Sequence, residues 1–239
     1  MTPLHRASTG RGVVVTGGSS GIGRAIAEAF VANGDRVVVL DRAGTDVDAI
    51  NVDVSQEDSV RAAFATARQR LGTIDVLVNS AGLLTESPLQ DMTLAMWNET
   101  LSVDLTGVFL CCREVVGEMR QQKWGRIINI ASQLAIKGGT GLSHYSAAKA
   151  GVVALTKSLA LEVASDNVLV NSIAPGPIET PLVQGISEDW KSAKRAELPL
   201  RRFGVAAEVA PTALLLASEP GGNLYVGQTL GPNSGDVMQ

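Results

Sequence analysis

The stretch Val13-Val-Val-Thr-Gly-Gly-Ser-Ser-Gly-Ile-Gly23 decides the fold. Its valines read as a short buried strand, and Ile22 to Asn33, followed by Gly34, reads as a helix closed by a glycine cap. Between them, Gly17, Gly21 and Gly23 keep a G-x-x-x-G-x-G spacing around Ser19, Ser20 and Ile22. Glycine permits the tight turn, lets the backbone approach a pyrophosphate, and lets the helix pack on the strand. The helix N-terminus then offers backbone N–H groups to an anion. Glycines also serve plain turns, so the flanking strand and helix, and an acid further on, carry the specificity.

That acid is Asp41, directly after the second strand, Arg36-Val-Val-Val-Leu40. It falls roughly 20 residues beyond the glycines, where a carboxylate bonds the adenosine ribose hydroxyls. A carboxylate repels a 2′-phosphate, and Ser19-Ser20 place no basic residue in the turn. NAD(H) is therefore the expected cofactor, and Arg42 keeps NADP(H) open.

Working outward, short Val/Ile runs alternate with longer Ala-rich segments. Further strands are expected at Ala49-Ile-Asn51, Asp75 to Val78, Arg126 to Ile130, Val168 to Ile173 and Leu224 to Thr229. Helices are expected at Gln56 to Arg70, Asn98 to Gln121, Tyr145 to Ala164 and Ala206 to Ala217. This βαβα order implies one α/β domain over residues 11–239: a Rossmann-type, doubly wound parallel sheet of about seven strands, with helices on both faces. Residues 1–10 read as a short flexible tail without a secretory h-region. The irregular stretch 176–200 reads as a lid or binding loop.

Composition agrees. Of 239 residues 45% are hydrophobic but only 4% aromatic, so the core must be aliphatic. A net charge of −4 gives no footprint for nucleic acid or anionic lipid, and no apolar run is long enough to span a membrane. Cys111 and Cys112 are adjacent and cannot form a disulfide framework, which favours a reducing, cytoplasmic setting. No metal is expected.

Tyr145 and Lys149, in Ser143-His-Tyr-Ser-Ala-Ala-Lys149, project from one helix face. A cation beside a phenol favours the phenolate, giving a proton carrier usable near neutral pH. With the glycine turn and Asp41, this pair makes the chain resemble the short-chain dehydrogenase/reductase family, from about residue 11 to 235. Further matches are Asp53-Val54, Asn79-Ser-Ala-Gly82, Ser132, Pro175-Gly176 with Ile178 and Thr180, and Arg202-Phe-Gly204 with Glu208-Val209. The resemblance implies that Asp53, Val54, Asn79, Ala81 and Gly82 border the adenine side, and that Pro175, Gly176, Ile178 and Thr180 line the nicotinamide. It implies hydride transfer at a secondary alcohol or ketone. Tyr145 would exchange the proton, Ser132 would bond the substrate oxygen, and Lys149 would hold the nicotinamide ribose and, with the oxidised ring, lower the Tyr145 pKa.

Asp104 departs from the family pattern, which usually has Asn there. By resemblance it would help open a proton path beside Lys149. Asn233-Ser-Gly235 departs from the usual Asp-Gly-Gly. Many relatives of this length reduce 3-oxoacyl groups on an acidic carrier protein. Lys123 suits such a partner, whereas Asp166 has the wrong sign for it. A small polyol, sugar or hydroxy acid is therefore the expected substrate, with the carrier-linked oxoacyl group as the alternative. A non-catalytic dinucleotide sensor is the alternative of another class. Gln133 is expected at the substrate, with Gln184 near it and His144 at the rim or surface. Relatives imply a homotetramer or homodimer paired through the two long helices.

Overall fold

The structure, a computed structural model, describes residues 9–42, 48–181 and 187–238. Nine strands lie among the described residues: β1 Gly12–Thr16, β2 Arg36–Asp41, β3 Ile50–Asn51, β4 Val76–Asn79, β5 Gly125–Ile130, β6 Val168–Ile173, β7 Ile178–Glu179, β8 Gly204–Val205 and β9 Thr229–Leu230. The main sheet has seven of them in the order β3-β2-β1-β4-β5-β6-β9. All of its pairings are parallel. The chain runs outward from β1 to β3, then returns to β4 on the other side of β1. That reversal opens a crevice at the carboxyl ends of β1 and β4.

Alternation along the strands divides the core. Val13 and Val15 face one layer, with Ile26 and Phe30 of α1 (Gly21–Ala32) and Val209, Ala213 and Leu216 of α8 (Ala206–Ala217). Val14, Leu77 and Ile127 face the other. There they meet Phe64 of α2 (Glu57–Leu71), Met119 of α4 (Gly107–Gln122) and Val152 of α6 (Ser143–Val163). Burial on both faces is what a valine-rich parallel sheet requires.

Four boundaries differ from the sequence expectation. The helix expected from Asn98 begins earlier, as α3 (Leu94–Leu101), with the Thr93 side chain accepting from the Met96 amide. A π-helical turn, Ser102–Thr106, then interrupts it before α4. Such a turn inserts one residue and rotates the register. Here it carries Asp104 inward, to accept from the Leu83 amide at 2.9 Å.

The expected tail residue Gly10 already belongs to the fold, its amide donating to the Gly34 carbonyl at 2.9 Å. Residues 1–8 lie outside the described residues. The stretch 176–200 is not wholly irregular. It contains β7, paired with β8, and the helix α7 (Glu188–Glu197), whose first turn is acidic and last turn basic, as the helix dipole favours.

The last strand is displaced toward the C-terminus. Leu224 is 94% exposed, and pairing with β6 starts only at Ser172 and Thr229. The Asn171 side chain bridges the Tyr225 carbonyl and the Gln228 amide, beside a backbone bond from the Gly227 amide to the Val170 carbonyl.

Candidate active site

The crevice holds a cleft of about 1010 Å³. Its floor at one end is the glycine turn. Gly17 and Gly21 sit at φ 66° and 54°, where a side chain is strained. A Cβ on Gly17 would meet the Ala81 backbone at 2.7 Å, and one on Gly23 would meet the Gly17 carbonyl oxygen at 2.3 Å. Thr16 Oγ1 accepts from the Ser80 and Ala81 amides, tying the loop after β4 to this turn. The Ser20 side chain does not cap α1, which leaves the first-turn N–H groups facing the cleft for an anion. Asp41 Oδ2 accepts from the Ser19 amide at 3.0 Å, placing the carboxylate at the edge of the turn.

Arg42, Asp53 and Val54 line the same end, with Gly82 nearby. Asp53 is held below the usual carboxylate range, chiefly by the Ser55 hydroxyl. Pro175, Gly176, Ile178 and Thr180 line the cleft too, with Thr180 against Gly21 of the turn, 3.5 Å from where a Cβ there would stand. Ser19 and Asn79 lie behind the lining. Asn79 is buried and donates to Asn129 Oδ1 at 2.8 Å, beneath the cleft rather than against a ligand. This donor set fits a dinucleotide: uncapped amides for phosphates, a carboxylate for ribose hydroxyls, and glycines where backbone must approach.

At the other end the π-helical turn, β5 and α6 converge. Lys149 Nζ lies 3.2 Å from Asp104 Oδ2, donates to the Ile130 carbonyl at 3.2 Å, and sits 5.5 Å from the Tyr145 ring centroid. The Asp104 and Lys149 side chains are 0% and 6% exposed. Gly82 permits this approach, since a Cβ there would stand 3.2 Å from Asp104 Oδ2. Ser132, just after β5, pulls the Tyr145 phenol down in pKa, and its Oγ accepts from the Leu134 amide of α5 (Leu134–Lys137).

The electrostatics correct one expectation. Burial raises the Tyr145 phenol, Lys149 pulls it down, Asp104 pushes it up, and Ser132 pulls it down; the net direction is upward. Burial alone would lower Lys149, but Asp104 and Tyr145 outweigh it and hold the ammonium. Lys149 alone therefore does not bring the phenol toward neutrality, because Asp104 opposes it.

Gln133 lines the cleft beside Ser132. His144 is not at a rim. It is fully buried, with Nε2 2.9 Å from Thr85 Oγ1. Gln184 lies outside the described residues. Cys111 and Cys112 are free and buried, and burial pushes the Cys112 thiol up to about 12. Lys137, Trp190 and Lys194 also line this end of the cleft, although no motif marks them, and so does Phe203 of the Arg202-Phe-Gly204 motif. Trp190 and Lys194 come from α7, whose i, i+4 spacing places both on one face; only the helix itself would have signalled them.

This arrangement is that of a nicotinamide-dependent oxidoreductase of the short-chain dehydrogenase class. The chain belongs to that family: the short chain dehydrogenase family model matches residues 11–191. The chain is 39% identical over 225 residues to the 3-oxoacyl-[acyl-carrier-protein] reductase FabG of Aquifex aeolicus (strain VF5), covering 88% of this chain and 91% of that one. It is 38% identical over 247 residues to the 3-oxoacyl-[acyl-carrier-protein] reductase of Synechocystis sp., covering 97% and 99%. The crystal structure of gox2181 superposes with a TM-score of 0.90 at 31% identity, covering 95% of each chain.

Proposed function

We propose that the protein reduces a 3-oxoacyl thioester to its 3-hydroxy counterpart, using NAD(H) as cofactor and Ser132, Tyr145 and Lys149 as the catalytic groups. The observation that carries the substrate reading is 38–39% identity over 88–97% of the chain to reductases named for that reaction. Two features of the chain support it. Leu83, Leu134, Leu142, Trp190 and Phe203 give the substrate end an apolar wall suited to an acyl chain. Asp166, the residue of wrong sign for an acidic carrier, is bound by Lys123 Nζ at 2.5 Å and by Arg120 Nε at 2.7 Å. Two cations against one carboxylate leave that patch with one positive charge.

When bound, the nicotinamide supplies the hydride. Ser132 then donates to the substrate carbonyl oxygen and stabilises the charge that develops there. Tyr145 gives its proton to the same oxygen; its raised pKa keeps it protonated and suits it to the reducing direction. Lys149 holds the nicotinamide ribose, and Asp104 holds Lys149 charged and in place. Pro175, Gly176, Ile178 and Thr180 position the nicotinamide ring. Asp41 favours NAD(H) by bonding the ribose hydroxyls and repelling a 2′-phosphate. Arg42 makes this preference a matter for measurement.

Asp41 also favours a second reading, oxidation of a small secondary alcohol, polyol or hydroxy acid, because NAD suits the oxidising direction. An acetoacetyl thioester, polyols and hydroxy acids assayed with NAD(H) and NADP(H) separate the two. Faster turnover of a polyol than of the thioester refutes the first. Tight NADH binding without turnover of any of them favours a dinucleotide sensor.

The setting proposed is cytoplasmic; no described helix is long and apolar enough to cross a membrane. The assembly proposed is a homotetramer or homodimer through α4 and α6, which expose Phe109 and Leu161. A monomeric elution volume in size exclusion refutes it.

A further inference from the structure

One carboxylate at the Ser132 end of the cleft is held by three donors, two from α5 and its N-cap residue and one from α7. Gln133 Nε2 donates to Asp236 Oδ2 at 2.5 Å, and Lys137 Nζ donates to the same oxygen at 2.8 Å. Lys194 Nζ, from the lid helix α7, donates to Asp236 Oδ1 at 2.9 Å. Gln133, Lys137 and Lys194 all line the cleft that contains Ser132 and Tyr145, and Gln133 is the residue next to Ser132. The Asp236 and Lys194 side chains are only 9% and 14% exposed.

The C-terminal segment is built to hold Asp236 there. The Gly176 amide donates to the Pro232 carbonyl, the Leu200 amide to the Ser234 carbonyl, and Asn233 Nδ2 to the Val237 carbonyl. Gly235, at φ 84°, lies against Pro199 at the base of the lid, where a Cβ would be 2.7 Å from the proline ring. A carboxylate only accepts hydrogen bonds, so Gln133 must present its NH₂ to it. Two ammonium groups and an amide NH₂ around one carboxylate form an anion site. Its occupant belongs to the chain itself.

We propose that Asp236 is a specificity-determining residue: its carboxylate fills the anion site of Gln133, Lys137 and Lys194, so that neutral oxo substrates are accepted and oxo acids are refused. An incoming carboxylate meets donors already engaged and a like charge beside them, which is discrimination by repulsion. A thioester, carrying no charge at that position, meets neither. The inference deepens the thioester reading and rests on it for the natural substrate. It describes an enzyme that ignores the free oxo acid released when such a thioester hydrolyses.

Oxo acids with one, two and three methylenes between oxo carbon and carboxylate, each beside its methyl ester, test it with NADH. In Asp236→Asn, which keeps the shape and removes the charge, the acid-to-ester ratio of kcat/KM is expected to rise about tenfold for at least one chain length, equivalent to ~1.4 kcal/mol. Adding Lys194→Met should remove that gain. Calorimetric titration of hexanoate into the NADH-loaded chain reads the same site without turnover; tighter binding by Asp236→Asn, lost again with Lys194→Met, supports the inference. An unchanged ratio at all three lengths together with unchanged hexanoate binding overturns it, as does loss of NADH binding in Asp236→Asn, which would make Asp236 purely structural. If the wild type turns over oxo esters but no thioester, the thioester reading fails while the acid-to-ester ratio still decides the role of Asp236.

Discussion

Replacing Asp104 with Asn tests the least usual feature of the proton-handling end. Asp104 Oδ2 and Lys149 Nζ are 3.2 Å apart and both side chains are buried. At an effective dielectric of about 20, their gross attraction is about 5 kcal/mol. Much of that offsets the desolvation of the two charges. What the variant exposes is the cost of a buried ammonium left without its counter-ion, about 3–5 kcal/mol when a buried pair is broken. The Ile130 carbonyl still accepts from Lys149, so the lower end of that range is expected. For a chain of this size each kcal/mol moves Tm by about 2–4 °C, so a fall of roughly 6–12 °C should appear in a thermal melt. The Lys149 pKa is raised on folding, so its stabilisation is complete below the ordinary lysine value of 10.5 and is lost only as pH rises through the raised one. The difference in Tm between wild type and variant should therefore stay constant from about pH 6 to 9. Activity gives an independent reading. Asp104 pushes the Tyr145 phenol up, so its removal lowers that pKa. In the oxidising direction, which needs the phenolate, the acid limb of log kcat/KM must then move to lower pH. A limb that stays in place refutes the coupling of Asp104 to Tyr145. An unchanged Tm refutes a net stabilising ion pair.

Three further outcomes follow from the geometry. Tyr145→Phe should lower kcat by about 10²–10⁴-fold while NADH titrated by fluorescence still binds, and near-wild-type turnover would remove Tyr145 from the reaction. Asp41→Ser should raise the ratio of kcat/KM for NADP(H) over NAD(H) by about tenfold or more, since a charged hydrogen bond to the ribose contributes about 1.5–3 kcal/mol and Arg42 then meets no opposing carboxylate; an unmoved ratio would separate Asp41 from cofactor choice. Gly23→Ala puts a Cβ 2.3 Å from the Gly17 carbonyl oxygen, so the turn must open and NADH affinity must fall. Wild-type affinity in that variant would show that the turn does not need a glycine at this position.

What the sequence disclosed about the fold was local, and so was what it concealed. Val13 to Gly23 could be read because strand, turn and helix are adjacent, and each glycine answers a backbone demand within the same segment. The π-helical turn at Ser102–Thr106 could not be read, because its cause is tertiary: it brings Asp104 to the Leu83 amide and to Lys149. The start of β9 was set too early because the segment before it is tied to β6 partly through the Asn171 side chain, which takes up the Tyr225 carbonyl and the Gln228 amide, a tertiary contact with no local signal. His144 looked like a rim residue because a histidine beside a catalytic tyrosine gives no sign of burial; Thr85, in a loop distant in sequence, supplies its partner. The substrate end was least legible. Lys137, Lys194 and Asp236 belong to no motif, and only folding brings the three to one point.

The three carboxylates that matter here act on separate parts of the reaction because the cleft keeps them apart. Asp41 stands at the glycine-turn end, where on the proposed reading its charge bears on a 2′-phosphate but not on the carbonyl. Asp104 lies against Lys149, where its charge bears on proton affinity; it cannot be removed without also altering the Tyr145 phenol, the proposed acid. Asp236 sits past Gln133, where the proposal has it face the remainder of the substrate. Each therefore predicts a different observable: cofactor ratio, pH limb and acid-to-ester ratio. If one substitution moved all three together, the division would be wrong, and the cleft would have to be treated as a single electrostatic unit in which no residue has a separable role.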